Sequence, residues 1–191
     1  MTHTSNAGLF LLQMLFSIFI LFALLRFLFQ LMRVDYYNPI SQMVTRITDP
    51  VLRPLRGSLP STRQIDSASL LALLLLQFTH LYLIASLQGL EASPLGLVIL
   101  SITEILSLTI SLLFWSILIQ AILSWFQPQT DHPGISLLQQ LTAPLMRPIQ
   151  RWLPAAGGVD FSPIMALLAL KMFEFILVAP LQDMAALLLR G

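Results

Sequence analysis

LFLLQMLFSIFILFALLRFLFQLM, residues 9–32, holds one charged side chain, Arg26, in an otherwise apolar run. Roughly 20 such residues in a helix cross the hydrocarbon core of a bilayer. The run therefore reads as a membrane helix. Its leader, MTHTSNAG, has no Lys or Arg, the run is too long for a signal peptide, and no small-residue cleavage site follows, so a retained helix is expected. Three more runs have comparable character: 68–87, a long stretch ending at 126, and 163–179, with Pro180 expected to end or kink the last. Only 10% of the 191 residues are charged, where soluble domains carry about a quarter. The expected fold is all-α, with four transmembrane helices at 9–32, 68–87, about 104–126 and 163–179.

The positive charges set an orientation. Residues 33–67 carry Arg33, Arg46, Arg53, Arg56 and Arg63, and residues 127–162 carry Arg147 and Arg151. The leader and the short 88–95 link carry none, and Arg190 stands alone near the C-terminus. Positive loops stay on the cytoplasmic side, so both long loops are expected there and both termini on the other face. In a bacterium, that other face is the periplasm.

The two long loops repeat one another. TDPVLRPLRGSLP at 48–60 aligns with TAPLMRPIQRWLP at 142–154, and at a constant offset of 94 the match runs from Pro39/Pro133 to Asp66/Asp160. The chain accordingly divides into two helix–loop–helix repeats, 1–94 and 95–191. Two crossings per unit make the halves parallel. Met43, Val44, Ile47 and Val51 in the first loop, and Leu137, Leu138, Leu141 and Leu145 in the second, fall on one helical face. Each repeat is thus expected to carry an amphipathic helix in the cytoplasmic interface or tucked against the bundle. Asn38-Pro39 and His132-Pro133 read as helix starts. Pro50 and Pro144 are expected to reset the chain into new short helices.

Arg53 and Arg147 sit where lipid phosphates would be near, and Asp66 and Asp160 precede the returning helices. They fold the loops, or the two Arg–Asp sets form a paired cytoplasmic platform for lipid or a partner.

Ionisable groups inside spans are functional candidates because they are expensive there. Arg26 either snorkels to the surface or joins Glu174. Lys171 and Glu174, spaced i,i+3, lock helices together or line an ion path. His80 hydrogen-bonds a neighbouring helix or relays protons. Glu104 is expected at the interface. His3, His80 and His132 are too scattered for a metal site, and no cysteine exists. No nucleophile and base converge, so no catalytic or cofactor residue is assigned. The net charge of +1 argues against nucleic-acid binding.

The second half resembles the YggT (YGGT/YlmG) family of bacterial membrane proteins. The resemblance rests on Ser124-Trp125-Phe126, Pro133, Leu141-Thr142-Ala143-Pro144-Leu145-Met146-Arg147-Pro148-Ile149, Leu153-Pro154, Gly157-Gly158 and Val159-Asp160-Phe161-Ser162-Pro163. The first half shows the same frame more loosely, with Arg63-Gln64 in place of the glycine pair. The resemblance implies a small multi-pass protein of the bacterial inner membrane, with relatives in plastids. It implies ties to osmotic or ion homeostasis, to division and cell shape, and to assembly of membrane complexes, and it brings no catalytic residues. Two functions follow as expectations: a membrane scaffold or assembly factor acting through its cytoplasmic face, or an ion-handling protein of osmotic adaptation. The expected partners are membrane lipids, proteins at the cytoplasmic face and a second copy of the chain.

Overall fold

The computed structural model describes residues 3–56, 66–126, 132–153 and 160–190. The loop elements Leu59-Pro60, Arg63-Gln64, Pro154 and Gly157-Gly158 lie outside the described residues. The order is α1 (His3–Leu31), α2 (Pro39–Arg56), α3 (Ser67–Leu87), α4 (Pro94–Trp125), α5 (Pro133–Trp152), α6 (Ser162–Phe173), a π-helical turn (Glu174–Val178) and α7 (Ala179–Arg190). No strand occurs among the described residues.

Four helical stretches are long and apolar enough to span a bilayer: Ala7–Leu31, Ser67–Leu87, Pro94–Ser124 and Ser162–Leu189. Their side chains face outward more than inward. Phe10, Leu15, Trp115, Ile164, Leu168 and Phe175 are all exposed, as expected where lipid rather than protein covers the apolar surface. The protein is a multi-pass, all-α membrane protein.

Two boundaries differ from the sequence expectation. α4 begins at Pro94, capped by the Ser93 hydroxyl, which accepts from the Gly96 N–H. At about 48 Å by helical rise, α4 exceeds the apolar layer, and Glu104 lies within it as a half-buried residue. The last helix does not end near Pro180. A proline ring clashes with the carbonyl four residues back, here that of Ile176. The wider π turn at Glu174–Val178 displaces those carbonyls, and the helix continues to Arg190.

The core is the contact of α1 with α3 and α2, and of α4 with α5, α6 and α7, joined by α3 against α4. Leu24, Leu28, Leu73, Ile117 and Leu141 are its most buried large side chains.

α2 and α5 each run through two prolines, Pro50 and Pro54 or Pro144 and Pro148. They do not break there as expected. An interior proline costs roughly 3 kcal/mol. Burial of Val44, Thr48 and Leu52 on α2, and of Leu137, Leu141, Thr142 and Met146 on α5, offsets that cost. The predicted apolar stripe of α2 is divided: Val44 points inward, whereas Met43, Ile47 and Val51 stay exposed.

α1 and α3 end alike. The Val34 N–H donates to the Phe29 carbonyl at 2.8 Å and the Leu90 N–H to the Ala85 carbonyl at 2.9 Å. Each closure needs a left-handed residue. In α3 it is Gly89 (φ 69°), but in α1 it is Arg33 (φ 56°), where a side chain costs about 1 kcal/mol.

Candidate functional site

Arg26 lies on the last turns of α1, and α2 packs beside it. Its guanidinium donates to the Thr45 carbonyl at 3.0 Å and to the Thr48 hydroxyl at 2.6 Å, and pairs with Asp49 at 2.7 Å. Only 6% of the Arg26 side chain is exposed. Arg26 therefore neither snorkels to solvent nor joins Glu174. Neutralisation at close range removes the reason to reach for water. Thr48, itself fully buried, also donates to the Val44 carbonyl at 2.8 Å.

Ninety-four residues on, the same positions meet again. Gln120 stands at the Arg26 position and shares a hydrogen bond with Thr142, at the Thr48 position. Thr142 donates to the Leu138 carbonyl at 2.9 Å, as Thr48 does to Val44. Ala143 replaces Asp49. The cation and its carboxylate are thus exchanged together for two neutral residues.

The helix starts correspond too. The Asn38 side chain accepts from the Ile40 N–H at 2.9 Å, and His132 Nδ1 accepts from the Gly134 N–H at 3.2 Å. Asp66 accepts from the Ser69 N–H at 3.3 Å and the Ser69 hydroxyl at 2.7 Å from a fully buried position. Asp160 accepts from the Ser162 N–H at 2.8 Å and the Gln150 amide at 3.3 Å. Hydrogen bonds from Ser162, its side chain foremost, and from Gln150 outweigh slight burial and hold the Asp160 carboxyl below the usual range.

Two bonds tie the halves together at this end. Asn38 Nδ2 donates to the Pro133 carbonyl at 2.8 Å, and the Asp35 N–H donates to Gln140 Oε1 at 2.6 Å. α2 and α5 therefore meet through their N-terminal starts at one end of the bundle. Arg46, Arg53, Arg147 and Arg151 stand exposed on them. Among the described residues, neither Arg53 nor Arg147 pairs with Asp66 or Asp160. Asp66 caps α3, and Asp160 accepts from the first N–H of α6 at Ser162.

Lys171 and Glu174 do pair, at 2.7 Å, near the middle of the Ser162–Leu189 stretch. The Lys171 side chain is 53% exposed on the outer face of the bundle, with its ammonium 5.0 Å from the Phe114 ring centre. His80 stacks on Phe16 at 5.3 Å, and neither ring nitrogen has a hydrogen-bond partner among the described residues. It does not bond the neighbouring helix as expected. At the constant offset, Gln77 and His80 of α3 occupy the Lys171 and Glu174 positions.

The CCB3/YggT family model matches residues 5–88 and 99–181, two segments whose starts are 94 residues apart. The chain belongs to the CCB3/YggT family. It is 39% identical over 189 residues to the uncharacterized protein PA0392 of Pseudomonas aeruginosa, covering 98% of this chain and 96% of the relative. It is 38% identical over 187 residues to the uncharacterized protein YggT of Escherichia coli K12, covering 97% of each. An uncharacterized Vibrio alginolyticus protein encoded in the proC 3' region is 38% identical over 175 residues, or 90% of this chain and 94% of that one. No solved structure gives a significant match.

In this YggT-family chain the sequence reading missed Asp49. The available signal was local. Arg26 needed an acid from the adjoining loop, and Asp49 sits beside Thr48, one of the positions identical between the loops. Among the described residues the polar groups include the largely buried Arg26–Asp49 pair, helix caps, exposed arginines on α2 and α5, and the outward-facing Lys171–Glu174 pair. Such groups can hold helices and dock partners. Among the described residues, no group of His, Asp and Glu could hold a metal ion.

Proposed function

We propose that this protein is a non-catalytic scaffold or assembly factor of the bacterial inner membrane, acting through the joined α2/α5 face. In this reading the chain is two parallel YggT-type repeats, with both termini periplasmic and the α2/α5 face cytoplasmic. The observation that carries it is the junction of α2 and α5 at their starts, cross-bonded through Asn38 and Asp35. α2 exposes Arg53, Met43 and Ile47, and α5 exposes Arg147 and Trp152. A surface mixing fixed cations with apolar side chains suits lipid phosphates and acidic protein segments. The mutual neutralisation of Arg26 and Asp49 suits a structural role for that pair rather than an ion-carrying one.

A second reading has its own support. Lys171 and Glu174 form an ion pair facing outward at mid-span, where hydrocarbon penalises charge. Packing against a second copy would cover the pair and create a polar seam, as an ion-handling role in osmotic adaptation requires.

Crosslinking in native membranes tests the first reading. Wild type should capture a discrete protein partner, and Arg53→Ala with Arg147→Ala should lose it while inserting normally. Cation flux through reconstituted liposomes that Glu174→Gln alters would instead place the function in the spans.

A further inference from the structure

A cleft of about 460 Å³ opens between the end of α1 and the first half of α2. Arg26, Gln30, Arg33, Tyr36, Ser41 and Asp49 contribute to its wall. Three observations make it more than a gap between helices. Ser41 is only 4% exposed, yet its hydroxyl has no hydrogen-bond partner among the described residues. A buried, unanswered hydroxyl is costly unless something from outside answers it. Arg33 holds a left-handed backbone that glycine would adopt without strain, so the fold keeps a guanidinium at the cleft mouth against local preference. The one carboxylate in the wall, Asp49, is neutralised by Arg26 at 2.7 Å, which leaves the Arg33 charge uncompensated within the cleft.

We infer that this cleft is a phosphate-binding site. A phosphate oxygen accepts from the Ser41 hydroxyl, Arg33 supplies the charge-assisted contact, and Gln30 and Tyr36 supply further donors. The location points to the source. The apolar run of α1 ends at Leu31, the level at which lipid headgroups begin. The volume suits a headgroup and excludes large polar ligands. This inference does not rest on the scaffold reading, because Arg53 and Arg147 do not line the cleft.

The test is native mass spectrometry of the delipidated full-length protein. It is titrated with phosphatidylglycerol, with phosphatidylcholine and, separately, with inorganic phosphate. Arg33→Gly is the informative variant, since glycine suits the left-handed turn and folding is not at risk. Wild type should retain phosphatidylglycerol over phosphatidylcholine, because phosphatidylcholine shares the phosphate but brings a choline cation against the uncompensated Arg33 charge. Arg33→Gly should weaken that retention about tenfold, Ser41→Ala should weaken it by a smaller factor, and Arg33→Lys should restore most of it. The same titrations on an Arg53→Ala, Arg147→Ala background remove lipid held at the α2/α5 platform, and the loss caused by Arg33→Gly should persist there. Displacement of the lipid by millimolar phosphate would support the site with a free anion as its occupant. Equal retention of both lipids, or undiminished binding by Arg33→Gly, would overturn the inference.

Discussion

The Arg26–Asp49 pair can be tested against its own neutral counterpart in the same chain. Charge centres about 4 Å apart in an effective dielectric near 20 attract by about 4 kcal/mol. Desolvation of the buried guanidinium takes back a large part, and Asp49 keeps 29% exposure through which it can hydrate. A net coupling of about 2–3 kcal/mol remains. Arg26→Gln should therefore cost about 1.5 kcal/mol and Asp49→Ala about 2.5, the latter more because it strands the deeper charge. The double variant installs the Gln120/Ala143 chemistry, which the second half accommodates beside Thr142. It should cost about 1–2 kcal/mol rather than the sum of about 4. Reversible unfolding in mixed micelles, followed by circular dichroism, gives all four corners of the cycle. A coupling below about 0.5 kcal/mol, or a double variant no more stable than the sum of the singles, would refute the equivalence of the two sites.

Other outcomes follow from single groups. Asp66→Ala removes the buried cap of α3 and should destabilise the protein by about 1–2 kcal/mol in the same unfolding assay. The lowered Asp160 carboxyl contributes stability that is fully present above its unfolded value of about 3.9. That contribution is lost as the pH falls through the lower folded value, so Asp160→Asn should flatten the acid limb of the stability profile. Gly89→Ala meets a left-handed turn and should cost about 1 kcal/mol. Replacing Lys171 and Glu174 together by Leu should suppress self-association measured by energy transfer in liposomes if a second copy covers the pair. Unchanged transfer would remove that interface from consideration.

The sequence by itself determined that four apolar runs can cross a bilayer, the all-α class and the family, because each rests on patterns contiguous along the chain. A bilayer imposes a length and a polarity on any helix that crosses it, so four apolar runs were legible one at a time. The offset of 94 was equally legible, since Thr48/Thr142 and Arg53/Arg147 need only be compared in register. The start of α2 at Asn38-Pro39, and the carboxylates Asp66 and Asp160 just ahead of α3 and α6, followed from local backbone chemistry. What only the tertiary structure decided were the matters of approach. Nothing along the chain tells Arg26 whether its partner is water, Glu174 or Asp49. The choice is made by how closely α2 packs on α1. The sequence spacing put Val44 with Met43 and Ile47 on one stripe, and packing against the bundle took Val44 inward and left the others out. Pro50, Pro144 and Pro180 read locally as breaks, yet buried neighbours hold α2 and α5 intact, and a π turn carries the last helix past Pro180. The Ser41 hydroxyl carries no sequence signal at all. It becomes a candidate ligand contact only because the fold buries it without a partner in a residue that lines a cleft.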